Sequence, residues 1–213
     1  MTTTIVKLTP DTAQEAVSAA LSVLERGGVI AYPTETFYAL GAFYDRTSAL
    51  ERIIALKHRP HEKAMPLIIG RPDHLPLLTT RISAAAAALM ACFWPGPLTL
   101  LFPARTDLPG LIVSGGTVAA RMPGESFALR LAQASPLPLT ATSANVSGQP
   151  PASSAAMVRA AFGDRLDLIV DGSETKGVLP STIVDASGTA IAIVRAGAVP
   201  PDAVHECLSR PAR

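Results

Sequence analysis

Residues 29–41 read VIAYPTETFYALG, and this stretch constrains the fold of the chain more than any other. The apolar run from Val29 to Tyr32 is too short for a stable helix and is stopped at once by Pro33, so it reads as a short buried strand. Thr34, Glu35 and Thr36 then place two hydroxyls and a carboxylate at the strand's end, where ligands collect in open α/β sheets. A turn that only reverses the chain is more simply made with Asn-Gly or Asp-Gly. Just upstream, Ala16, Val17, Ala20, Leu21 and Leu24 share one helical face. Thr9 is placed to cap that helix, Pro10 suits its first turn, Asp11 with Gln14 offers an alternative capping pair, and Gly27-Gly28 end it. A helix feeding directly into a buried strand predicts an α/β fold.

The same reading runs along the rest of the chain. A helix starts near Asp45 or Ser48 and ends at Lys57, His58 and Arg59, with Pro60 blocking its extension. An Ala-rich helix over 83–93 is stopped by Pro95-Gly96-Pro97, and further helices are predicted over 125–134, 153–162 and 201–208. Strands are predicted over 66–69, 98–102, 118–122, 139–142, 168–170, 182–184 and 191–194. Helices and strands do not alternate strictly, so a mixed sheet flanked by helices is expected, in one compact domain over residues 1–213 with its core within about 10–200. Residues 209–213 are expected to fray.

Composition excludes several classes. With 48% hydrophobic and 16% charged residues, the chain can bury a sizeable core and is not a disordered one. A net charge of +1 argues against a protein that coats nucleic acid by charge alone. The N-terminus lacks a basic start followed by an apolar run, and the longest apolar run, 84–94, is too short to span a bilayer. A cytoplasmic protein without membrane association is expected. Cys92 and Cys207 lack metal-ligand spacing and read as separate reduced thiols. The histidines at 58, 61, 74 and 205 form no metal set, so no resident metal is expected.

Three groups of residues carry chemistry. Lys57, Arg59 and Lys63 cluster at a helix end; they complement the helix dipole or hold phosphate, since Arg offers a bidentate fork and Lys a mobile point charge. The run Thr140 to Gly148 follows a strand with small hydroxyl and amide residues, in which Ser143 and Asn145 can donate to phosphate or ribose oxygens or satisfy a turn. Arg121 and Arg195 continue apolar strands, where a guanidinium must be paired or exposed.

In order and spacing, these pieces resemble the YrdC-type threonylcarbamoyl-AMP synthase family. The matching segments are PTET at 33–36, KxR at 57–59, WPGPLT at 94–99, ARMP at 120–123, SAN with SG at 143–148, ST at 181–182 and RxG at 195–197. WPGPLT reads as structural. Ala39 stands where the family pattern carries Gly, and Lys63 lies further from its Pro-Leu pair than usual.

The resemblance implies a twisted mixed α/β sheet with a large concave basic cavity, in the short form without a second domain. It implies synthesis of threonylcarbamoyl-AMP and pyrophosphate from ATP, L-threonine and bicarbonate, with Mg²⁺ accompanying the ATP, for the threonylcarbamoyladenosine modification of tRNA. Downstream tRNA threonylcarbamoyl-transfer proteins would take the product. By matching motif, Thr34, Arg121 and Ser181 would hold threonine. Lys57, Arg59, Lys63, Thr117, Ser143, Asn145 and Arg195 would hold the nucleotide, with Lys57 and Arg59 as the catalytic charges. Two other readings stay open from the residues: a same-fold paralogue in another carbamoyl transfer, and a double-stranded-RNA-binding module without synthesis.

Overall fold

Strand alternation decides how this chain divides its residues between core and cavity. The computed structural model describes residues 2–175 and 179–209. The chain opens with β1 (Thr4–Lys7), α1 (Ala13–Glu25), β2 (Ile30–Pro33), β3 (Tyr38–Gly41) and α2 (Thr47–Lys57). Next come β4 (Leu67–Ile68), α3 (Ala84–Phe93), β5 (Leu98–Pro103), β6 (Val113–Ser114) and β7 (Thr117–Arg121), with 3-10 turns at Pro72–Leu77 and Gly110–Ile112. Then follow α4 (Phe127–Ala134), β8 (Leu139–Thr140), β9 (Thr142–Ser143), α5 (Ala155–Phe162) and a 3-10 turn at Gly163–Arg165. β10 (Leu168–Asp171), β11 (Thr182–Asp185), β12 (Ala192–Arg195) and α6 (Pro201–Ser209) come last.

The mixed strand directions and flanking helices are as expected, but the strands divide into two sheets rather than one. The first runs β1-β10-β2-β3-β9, with β1, β10 and β2 parallel and β3 antiparallel to both neighbours. The second runs β12-β11-β5-β7-β4-β8, with β11 parallel to β5, β4 parallel to β7 and the remaining pairs antiparallel. β8 and β9 are separated only by Ala141, so the chain steps from one sheet to the other there. The buried Thr140 ties the two together: its N–H donates to Ala42 O at 2.9 Å, and its hydroxyl accepts from Ala42 N at 2.9 Å.

β2 is buried on both faces, which explains its continuous apolar run. Ile30 and Tyr32 pack with Ala16, Val17, Ala20 and Leu24 of α1, while Ala31 faces the cluster that contains Val158 and Phe162 of α5. The capping expectation for α1 is corrected. Thr9 does not cap the helix; the Thr9 and Thr12 side chains shape a turn before it, and the helix starts at Ala13 without a side-chain cap. Ser83, Ser126 and Ser154 do cap α3, α4 and α5. β1 and β3 were not expected from the sequence. Ala39 lies in extended backbone within β3, so its position makes no demand for glycine's left-handed freedom.

The expectation of two reduced thiols is also corrected. Cys92 at the end of α3 and Cys207 in α6 form a disulfide across 115 residues of sequence. The two helices pack together and bring the sulfurs to bonding distance, which no spacing rule could show. Ser209 ends α6, while the rest of the segment expected to fray lies outside the described residues. Among the described residues, no helix is long and apolar enough to cross a membrane.

Candidate active site

A cavity of about 870 Å³ opens between the two sheets. One wall is built by period-two alternation. Thr99 and Leu101 of β5, Thr117, Ala119 and Arg121 of β7, and Ile183 and Asp185 of β11 line it. Their neighbours Leu98, Leu100, Phe102, Val118, Ala120, Thr182 and Val184 are buried behind it. Arg121 therefore reaches the cavity because it is the fifth residue of β7, in phase with Thr117. Its guanidinium is buried, and Nη1 donates to Glu35 Oε1 in an ion pair.

Arg195 ends β12 at the rim. Its Nε and Nη2 donate to Ser181 O at 3.2 and 2.7 Å, and Nη2 reaches Ser181 Oγ at 3.2 Å. Ser181 Oγ also shares a hydrogen bond with Thr99 Oγ1 at 2.9 Å. Gly197 permits this closeness, since a Cβ there would lie 2.3 Å from Pro180 O. Desolvation, and then the nearby Arg121 charge, push the Arg195 guanidinium below its usual pKa range. Two like charges therefore share this wall.

The opposite wall is made of loops and the ends of the first sheet. Thr34, Thr36, Ala39 and Ser143 line it, as do Arg59 and Lys63 after α2. The Thr34 hydroxyl accepts from Thr36 N and Phe37 N and donates to Phe37 O at 2.7 Å, so it shapes the turn that it caps. Arg59 spends its donors on loop carbonyls, Nε to Lys63 O at 2.8 Å and Nη2 to Ala64 O at 2.7 Å. His58 turns the chain out of α2 in left-handed backbone, φ 49°.

Lys57 departs most from its expected place. It is buried, 2% exposed, and does not line the cavity. Its ammonium donates to Ser143 O, and to Asn145 O at 2.7 Å, and so sits beneath the 143–149 loop. Asn145 is likewise turned inward: Oδ1 accepts from Ser143 Oγ at 2.6 Å, and Nδ2 donates to Val146 O and Gln149 O. Burial, and then the charge of Arg59, lower the Lys57 pKa to about 8.

Of the residues singled out from sequence, the fold thus brings Thr34, Arg59, Lys63, Thr117, Arg121, Ser143, Ser181 and Arg195 to one cavity, with Lys57 and Asn145 directly behind Ser143. Thr99 was missed, although the alternation of LTLLFP placed it in phase with the cavity. Glu35 was missed as a partner of Arg121. The lining carries Arg59, Lys63, Arg121 and Arg195 against the carboxylates Glu62 and Asp185, an arrangement that suits a polyanion with a carboxylate-bearing co-ligand. Among the described residues, no three His, Cys, Asp or Glu side chains gather to hold a metal ion.

Comparison with known proteins gives a family match over residues 22–197 to Sua5/YciO/YrdC, described as telomere recombination. A threonylcarbamoyl-AMP synthase of Klebsiella pneumoniae is 38% identical over 175 residues, covering 81% of this chain and 92% of that protein. One from Pyrococcus abyssi is 36% identical over 190 residues, covering 89% of this chain; the chain spans only 56% of that relative's length. The crystal structure of Pyrococcus abyssi Sua5 complexed with L-threonine superposes with a TM-score of 0.89 at 32% identity, covering 98% of this chain and 61% of that one.

Proposed function

The chain belongs to the Sua5/YciO/YrdC family, and from that premise we propose that it is a threonylcarbamoyl-AMP synthase. It would join ATP, L-threonine and bicarbonate into threonylcarbamoyl-AMP and release pyrophosphate. The observation that carries this reading is the two-walled cavity: a fixed guanidinium at Arg121 on the strand wall faces the cations Arg59 and Lys63 on the loop wall. One wall fits an amino-acid carboxylate, the other a triphosphate.

In this reading the threonine carboxylate docks on Arg121, flanked by Thr34 and Ser181. The triphosphate lies along Arg59, Lys63 and Ser143, and Thr117 and Arg195 contact the nucleoside end. Lys57 and Asn145 act from behind, by fixing the carbonyls and hydroxyl of the 143–149 loop. The threonine amine, once deprotonated, attacks the carbon of bicarbonate with loss of water, or of dissolved carbon dioxide with release of a proton, to give a carbamate. A carbamate oxygen then attacks the α-phosphorus and pyrophosphate leaves. No protein nucleophile is needed, so catalysis rests on positioning and charge neutralisation. Mg²⁺ enters with ATP as part of the substrate.

The product is a labile mixed anhydride, so tRNA threonylcarbamoyl-transfer proteins would act next, in the cytoplasm. Affinity of this chain for tRNA would follow from the same cavity cations and be steeply salt-dependent. The test is pyrophosphate release by the purified protein with magnesium-ATP, leaving out threonine or bicarbonate in turn. Release that needs both supports the synthase. Release indifferent to threonine would move the chain to another carbamoyl-transfer reaction, and RNA binding with no turnover would leave a binding module.

A further inference from the structure

Glu35 sits in the turn that follows β2, and Arg121 ends β7 in the other sheet, 86 residues away in sequence. Their ion pair is largely shielded from water, with side-chain exposures of 9% for Arg121 and 17% for Glu35. The second carboxylate oxygen, Oε2, is buried without a hydrogen-bond partner. An ionised carboxylate with a bare buried oxygen is costly, and the surrounding fold maintains it.

What encloses it is specific. A Cβ built on Gly124 would lie 3.5 Å from Glu35 Cγ, in ordinary van der Waals contact, so the Glu35 stem runs alongside this turn. Gly96 N donates to Met122 O at 2.9 Å, so the 94–99 turn is fastened to the segment that carries Arg121. The side chain of Glu35 therefore packs beside the Gly124 turn that follows Arg121. Glu35 does not line the cavity, whereas Arg121 does.

We infer that Glu35 is the positioning residue of the amino-acid subsite. It holds the Nη1 edge of Arg121 from behind, leaving the rest of the guanidinium to meet the substrate carboxylate. Among the described residues it also supplies the one carboxylate partner of Arg121, which shares its wall with a second guanidinium, Arg195. A planar fork fixed on one edge selects a carboxylate presented at one angle, which an unanchored arginine on a mobile side chain does not. The inference rests on the synthase reading, in that Arg121 there meets threonine.

The test is a cycle of Glu35→Gln, Arg121→Lys and the double variant, read as separate apparent KM values for threonine and for ATP. Gln keeps the shape and an acceptor oxygen but removes the charge. Glu35→Gln should raise the threonine KM by about tenfold or more, with the ATP KM changed less than twofold, because a displaced docking group loses that much. Glu35→Asp should recover part of the loss by restoring the charge. In the Arg121→Lys background, Glu35→Gln should add little further, since Glu35 acts through Arg121. Circular dichroism on each variant separates these shifts from misfolding. An unchanged threonine KM in Glu35→Gln, or equal losses for threonine and ATP, overturns the inference. If instead the wild-type protein releases pyrophosphate without threonine, the synthase reading itself fails.

Discussion

The two walls of the cavity are built on different principles. The strand wall takes its residues by alternation: Thr117, Ala119 and Arg121 face the ligand space while Val118 and Ala120 are sealed in the core. Its geometry is fixed before any ligand arrives, because a one-residue slip would expose the core face. The loop wall is held by its own cations. Arg59 binds the carbonyls of Lys63 and Ala64, and Lys57 binds those of Ser143 and Asn145. Of these two, only Arg59 lines the cavity, so its charge is held by backbone carbonyls at the site itself while Lys57 braces the loop from behind. If the strand wall receives the amino-acid carboxylate and the loop wall the triphosphate, as proposed, the first is set by strand register, whereas Arg59 on the second would exchange loop carbonyls for phosphate.

The largest effect should come from Lys57→Met. It removes three charge-assisted bonds to the 143–149 loop and should raise the ATP requirement several hundredfold. Steady-state pyrophosphate release checks it. Stability should fall as well, because the carbonyls of Ser143 and Asn145 lose the donor that holds them. Arg121→Ala should come next, raising the threonine requirement about a hundredfold while ATP affinity, read by equilibrium titration, stays near normal. Equal losses for both substrates in either variant would erase the distinction between the walls.

The third effect is a pH dependence confined to the loop wall. Lys57 has a pKa of about 8 in the fold against an ordinary value of 10.5. Between those values the unfolded chain keeps a proton that the folded one has released, so stability should rise with pH across that window. Nucleotide affinity should fall over the same rise, because the neutral amine no longer adds to the positive field. Denaturant melts and nucleotide titrations at pH 7, 8 and 9 would show the opposing trends, and Lys57→Met should abolish both. The smallest effect on the site should come from Cys207→Ser. Neither α3 nor α6 lines the cavity, so both KM values should hold. Thermodynamic stability measured without reductant should drop by about 2–4 kcal/mol.

The sequence was most informative where one period or one motif decided the outcome. The apolar run at β2, the alternation in β5, β7 and β11, and the proline and glycine stops of α2 and α3 were all readable locally. β3 was not: YALG follows the PTET turn so closely that it read as part of the motif rather than as a strand. β1 was missed because TIVK is short and mostly exposed, and it is stabilised by its pairing with β10 near the chain's other end. Which residues make the cavity was largely legible, since motif order placed Arg59, Lys63, Thr117, Arg121, Ser143, Ser181 and Arg195. How they are held was not. The ties from Lys57 to Ser143 and from Arg121 to Glu35 each span 86 residues, and the disulfide spans 115. Such pairings follow from sheet order, which no local pattern contains.

On the proposed function, Arg121 held by Glu35 should accept threonine before any nucleotide binds. Calorimetric titration of L-threonine into the nucleotide-free protein, at pH 7 and again at pH 9, tests it directly. One saturable site is expected at both values, with affinity unmoved as Lys57 loses its proton. Threonine that binds only after nucleotide has been added, or whose affinity falls with the Lys57 titration, would contradict it.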